Sequence, residues 1–126
     1  MIHDGSRPLI TIEQILDCLN AAREHGAAIL AVPTRDAVKM VNPERMVRGT
    51  PDRSTIWLTQ TPQCFSKDLI VQGYRDAFGD VSDDSVLIER QSHPVKVCMG
   101  ALTNIKITTV EDLDFAQGVV RRRQAD

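Results

Sequence analysis

Residues 27–33, AAILAVP, form a short, nearly continuous apolar run closed by Pro33. A run of this length without polar alternation suits a strand covered on both faces, as in a parallel sheet packed between helices. The residues before it supply one cover. Ile12, Ile15, Leu16 and Leu19 recur at helical spacing, Thr11 and Gln14 have the spacing of a capping box, and Gly26 supplies a stop. An amphipathic helix over 11–25 is therefore predicted. A helix leading at once into a buried strand constrains the chain to an α/β layered domain.

The rest of the chain fills in that outline. Its 126 residues, 42% of them hydrophobic, make one domain's worth of ordinary globular composition, and an aromatic content of 4% places the core on Leu, Ile, Val and Ala. Residues 34–58 mix Val and Met with charges, prolines and a glycine and lose all helical period, which predicts a projecting hairpin or arm. Ser66 is expected to cap a helix running through Phe78, with Leu69, Ile70, Tyr74, Ala77 and Phe78 on one side and Gly79 as its end. Ser82 or Asp83 opens another helix carrying Val86 and Leu87. PVKVCMG and NIKIT alternate like strands, and Thr109 with Asp112 begins a last helix with Leu113, Ala116 and Val120.

Charge and cysteine content exclude several function classes. A net charge of −2 gives no long-range attraction for nucleic acid or an anionic membrane, so an anion must be held locally. The arginines at 121–123 complement the end of a helix. Cys18, Cys64 and Cys98 are scattered, which argues against a disulfide framework and a zinc site and fits a reducing, cytoplasmic setting. No apolar run approaches the ~18 residues of a membrane helix.

Three clusters carry chemistry. HDGSRP, residues 3–8, sets Asp4, Gly5 and Arg7 just before a proline. Such a turn can hold magnesium through Asp4, admit a ligand to the backbone at Gly5 and pair Arg7 with a phosphate, or it is a plain surface turn with an Asp–Arg pair. TPDRS leads into TIWLTQTPQCF, where Arg53 could reach a phosphate on another surface and the groups of Thr59, Gln60, Thr61 and Gln63 could bind a polyol. The same residues also suit a polar loop pinned in the core by Trp57 and Phe65. Lys106, in TNIKITTVEDL, is either a site cation or the solvated residue of an alternating strand. His3 adjoins Asp4, and a structural role is expected for it, since a phosphate nucleophile needs no general base.

Taken in order, HDGSRP, AVPTRDAVK, TPDRS, QTPQCF, SDDSVLIE and NIKITTVEDL resemble the C-terminal half of the 2-C-methyl-D-erythritol 4-phosphate cytidylyltransferase family. The resemblance implies an incomplete Rossmann-like nucleotidyltransferase, three-layer α/β/α with a projecting β-arm. Residues 1–126 would be the C-terminal part of one domain and about 36–58 its dimerisation arm. The implied reaction moves CMP from CTP to a sugar phosphate and releases pyrophosphate with Mg2+, in isoprenoid precursor biosynthesis. Asp4 would lie between metal, nucleotide and sugar, Gly5 would line the nucleotide site, and Arg7 would support substrate binding. Arg53 would cross to the sister subunit of a homodimer and hold the sugar phosphate. Thr61 and Ser82 would contact the substrate, Ser82 standing for the family's usual threonine, and Lys106 would lie near the reacting phosphates.

Two departures accompany the resemblance. The family's D-T-x-K on the arm stands here as Asp36-Ala37-Val38-Lys39, removing a threonine hydroxyl expected at the sugar phosphate. The seven glycines form no G-x-G pattern, so the glycine-rich CTP loop is expected to be absent with the N-terminal half, leaving the chain inactive alone. Another polyol phosphate, such as ribitol 5-phosphate, and a non-catalytic fragment or dimerisation module are the rival expectations.

Overall fold

The computed structural model describes residues 1–125. Helix α1 (Ile12–His25) begins at Thr11, whose side chain accepts from the Gln14 backbone while the Gln14 side chain accepts from the Thr11 backbone. It stops at Gly26 in the left-handed region, φ 83°. A Cβ there would also press on His93 Nε2 at 2.9 Å, so glycine is required twice over. Strand β1 (Ala27–Pro33) follows, buried through Val32. Ala28 and Leu30 join Cys18 and Ala22 of α1 and Cys64 in one core cluster. Ile29 and Ala31 alternate onto the opposite face.

β1 is the middle of a three-stranded sheet in the order β4–β1–β5. It runs antiparallel to β4 (Trp57–Phe65) and parallel to β5 (Lys96–Met99), so the sheet is mixed, not wholly parallel. Between β1 and β4 lies the arm. Its core is a small antiparallel hairpin of β2 (Met40–Val41) and β3 (Val47–Gly49), followed by a 3-10 turn at Arg53–Thr55. Asn42 fixes the hairpin turn by accepting from Met46 N at 2.8 Å. No residue from 34 to 56 is buried. Helix α2 (Lys67–Arg75) follows, then α3 (Ser85–Glu89) and, after β5, α4 (Val110–Ala125).

Four expectations are corrected. α2 ends at Arg75, not Phe78, and Tyr74 and Phe78 are exposed. Arg90 draws the chain out of the helix: its guanidinium donates to Phe78 O at 2.6 Å and Asp80 O at 2.8 Å and stacks on the Phe78 ring. NIKIT is not a strand; among the described residues its one cross-segment backbone bond is Ile107 N to Ser6 O, 2.8 Å, and side chains hold the rest. TQTPQ is part of a strand, not a loop. Trp57 is 38% exposed and lies outside the core, because it opens β4 at the rim of the sheet, beside Pro33. The capping of α4 matches expectation: Asp112 Oδ2 accepts from Thr108 N, Thr108 Oγ1 and Thr109 N, each at 2.9 Å.

Candidate anion-binding site

The chain start is tied to β4 by a two-way bridge, Ile2 N to Gln63 O at 2.8 Å and Gln63 N to Ile2 O at 2.9 Å. The next residues turn sharply, with Arg7 N bonding Asp4 O at 3.0 Å, and this turn carries Asp4 and Arg7 to one side of β4. Asp4 N donates to Thr61 Oγ1 at 2.9 Å, so the turn is stitched to the middle of the strand. Asp4 Oδ2 then meets two cations, Arg7 Nε and Lys106 Nζ, each at 3.3 Å. These groups line a pocket of about 310 Å³ together with Thr59, Gln60, Gln63, Ser82, Asp83 and Asp84.

The two cations are held differently. The Arg7 side chain is 13% exposed and also donates through Nη1 to Asn104 O at 2.7 Å, so it is locked into the wall. Lys106 is 50% exposed and among the described residues pairs with Asp4 alone, so its ammonium can turn to an incoming anion at small cost. One carboxylate against two cations leaves this corner positive. The lining also carries two acidic residues, Asp83 and Asp84. Asp83 Oδ1 is occupied by Ser85 Oγ at 2.7 Å and Val86 N at 3.3 Å, and Asp84 accepts from the Tyr74 hydroxyl, which pushes that phenol's pKa up.

Of the residues singled out in the sequence, Asp4, Arg7, Thr61, Ser82 and Lys106 meet at this pocket. Gly5 is exposed in the turn, and a Cβ there would meet open space, so the position asks nothing of glycine. Arg53 is not in the pocket of its own chain; it lies on the arm and donates to Arg35 O at 2.9 Å. His3 bonds Thr61 Oγ1 through Nδ1 at 2.9 Å and Arg7 O through Nε2 at 3.1 Å.

Gln60 and Gln63 border the pocket, yet their amides are mainly committed inward. Gln60 Nε2 donates to Ala101 O at 2.8 Å, and its Oε1 accepts from Asn104 Nδ2 at 3.2 Å and Ala101 N at 3.3 Å. Gln63 Oε1 accepts from Ser85 N at 3.1 Å. Asn104, wholly buried, donates to Thr61 O at 2.9 Å as well, so it links Arg7, β4 and the loop that carries Lys106. Gly100 is needed here, since a Cβ would collide with Gln60 Oε1. Sequence reasoning missed Asn104 and Gly100. Neither residue carried a sequence signal, since asparagine is mostly exposed in proteins.

Known proteins place the chain. A family model described as IspD, 2-C-methyl-D-erythritol 4-phosphate cytidylyltransferase, matches residues 1–122. The 2-C-methyl-D-erythritol 4-phosphate cytidylyltransferase of Desulforamulus reducens is 44% identical over 98% of this chain and 54% of that protein. The enzyme of the same name from Caldanaerobacter subterraneus subsp. tengcongensis is also 44% identical, over 96% of this chain and 55% of its own length. The crystal structure of 4-diphosphocytidyl-2C-methyl-D-erythritol synthase from Anaerococcus prevotii superposes with a TM-score of 0.85 at 40% identity, covering 94% of this chain and 57% of that one. The chain thus spans about half the length of the curated relatives it matches.

Proposed function

Given that the chain belongs to the 2-C-methyl-D-erythritol 4-phosphate cytidylyltransferase family, we propose that its pocket binds the reacting phosphates in the transfer of CMP from CTP to 2-C-methyl-D-erythritol 4-phosphate. An oxygen of the sugar phosphate attacks the α-phosphorus of CTP, the bond to the β-phosphate oxygen breaks, and pyrophosphate leaves. Two polyanions must meet, so the protein's task is positioning and charge neutralisation. Lys106 is the cation free to follow that charge. Arg7 fixes Asp4 and adds a second positive charge from the wall. The observation that carries the reading is the convergence of Arg7 and Lys106 on one carboxylate at the rim of a polar pocket.

Asp4 fits a magnesium ion as its hard-oxygen donor. Its Oδ2 is taken by the two cations, leaving Oδ1 for a metal whose other ligands would be phosphate oxygens and water. Among the described residues no group of three carboxylate, histidine or cysteine side chains could hold a metal ion by itself. When bound, Mg2+ offsets charge on the phosphates.

Arg53 is assigned to the pocket of a second copy. Its exposed position on the arm supports this, as do the exposed Met40, Val41, Met46 and Val47 of the hairpin, which a homodimer would cover. Residues 1–126 then form the C-terminal part of one nucleotidyltransferase domain, working in the cytoplasm, where the free thiols of Cys18, Cys64 and Cys98 persist. Among the described residues no helix is long and apolar enough to cross a membrane. Ala37 keeps a second substrate in play, because it removes a hydroxyl from the arm.

The test is pyrophosphate release from CTP and Mg2+ with 2-C-methyl-D-erythritol 4-phosphate or ribitol 5-phosphate. The chain is supplied alone and together with the remaining half of the Desulforamulus relative. Release with the methylerythritol phosphate supports the reading; release with ribitol 5-phosphate alone reassigns the substrate. Saturable sugar-phosphate binding without release in either mixture makes the chain a binding and dimerisation module.

A further inference from the structure

We propose that His3 is a positioning residue that commits the proton of the Thr61 hydroxyl, so that position 61 accepts a hydrogen bond from a ligand hydroxyl and does not donate to a phosphate oxygen. The proposal rests on the reading that this pocket takes a sugar phosphate. It follows from counting protons.

The bridge between Ile2 and Gln63 sets His3 beside Thr61 across the strand. The carbonyl oxygen of Arg7 has no proton to give, so the 3.1 Å contact to His3 Nε2 requires the hydrogen to be on Nε2. A neutral imidazole carries one ring proton, which leaves Nδ1 bare and able only to accept. Its neighbour at 2.9 Å is Thr61 Oγ1, and the hydroxyl must therefore donate to it. The same oxygen accepts from Asp4 N at 2.9 Å. A threonine hydroxyl has one proton and two lone pairs; here one lone pair is left.

Thr61 is half-buried and lines the pocket with Asp4, Arg7 and Lys106. An ionised phosphate oxygen opposite the remaining lone pair would find an acceptor facing an acceptor. A hydroxyl would find its partner. A polyol phosphate supplies both kinds of group, a hydroxyl for Thr61 and a phosphate for Lys106, and an analogue lacking that hydroxyl leaves Thr61 unpaired. His3 thereby selects the polyol end of the substrate without touching it.

Two measurements decide this. In mildly alkaline buffer, long-range proton–nitrogen correlation spectra of the chain labelled at histidine should show His3 with hydrogen on Nε2 and a bare Nδ1. The signal is assigned by its loss in His3→Asn. Hydrogen on Nδ1 overturns the proposal, with or without ligand. In equilibrium binding, Thr61→Val should weaken 2-C-methyl-D-erythritol 4-phosphate about tenfold more than inorganic phosphate, because the stitch to Asp4 N is lost for both probes and the hydroxyl contact for the polyol alone. His3→Ala frees the hydroxyl proton and should tighten inorganic phosphate severalfold. His3→Asn keeps an acceptor beside Thr61 and should bind both probes like the wild type. An equal loss of both probes in Thr61→Val shows that the hydroxyl makes no contact peculiar to the polyol and sinks the idea. A wild-type chain that binds neither probe contradicts the proposed function, whereas the ring tautomer decides the role of His3 by itself.

Discussion

Arg7 and Arg53 both belong to motifs that suggest phosphate binding, yet one sits in a wall and the other on a limb. Arg7 is nearly buried, and its guanidinium donates to Asp4 Oδ2 and Asn104 O. Arg53 is exposed, and among the described residues its guanidinium hydrogen-bonds the carbonyl of Arg35, a group that water replaces readily. A buried guanidinium must be satisfied where it lies, so the fold dictates its geometry. An exposed one is left free for a second surface. The pocket floor is therefore set by one chain's folding, whereas the arm is the region proposed to act on a second copy.

Substitutions should separate the two regions. The largest loss is expected from Asn104→Ala, which strips partners from Gln60 Oε1 and Thr61 O inside the floor. It should cost about 2–3 kcal/mol in urea unfolding and release the loop bearing Lys106. A cost under about 0.5 kcal/mol would mean the floor is no more constrained than a surface. Arg7→Leu comes next, at about 1–2 kcal/mol. It removes a partly buried charge-assisted pair and leaves Asn104 O without its donor, and the same denaturation series reads it.

On the arm, Met46→Ser with Val47→Thr should change unfolding free energy by less than about 0.5 kcal/mol. The same pair should shift sedimentation from dimer toward monomer. A large stability loss in the isolated chain, with association unchanged, would erase the contrast between arm and floor. The smallest effect is expected at the α4 cap. Hydrogen bonds from Thr108 and Thr109 hold the Asp112 carboxyl below its usual range. Its folded value is depressed, so its stabilisation is present above the ordinary carboxylate range and is lost as pH falls through the folded value. Acid titration followed by amide shifts should loosen the first turn of α4 in the wild type and leave Asp112→Asn unresponsive.

Local structure was legible wherever the signal acts locally. Thr11, Gln14 and Gly26 are cap chemistry, and a cap acts within one turn, so α1 was legible to the residue. AAILAVP gave a buried strand because only a doubly covered strand tolerates such a run. What failed needed distant partners. Gln60 and Gln63 show that hydrogen bonds must be made but not to what, and the answer lies some 20 to 45 residues away, at Ser85, Ala101 and Asn104. NIKIT has the alternation of a strand, yet side-chain amides hold it in place of a ladder. Trp57 is aromatic but begins its strand beyond the reach of the core, and Phe78 leaves its helix because Arg90, 12 residues on, captures its carbonyl. The motif residues Asp4, Arg7, Thr61 and Lys106 could be named from order alone. That a single turn, Asp4 to Arg7, stitches them into one corner could not.

The central claim is that this corner receives a phosphorylated ligand through Lys106. Calorimetric titration of 2-C-methyl-D-erythritol 4-phosphate into the wild-type chain and into Lys106→Ala tests it most directly. The account predicts saturable binding that weakens about tenfold or more when the ammonium is removed, the worth of one charge-assisted hydrogen bond. Equal affinity in the two proteins would contradict it.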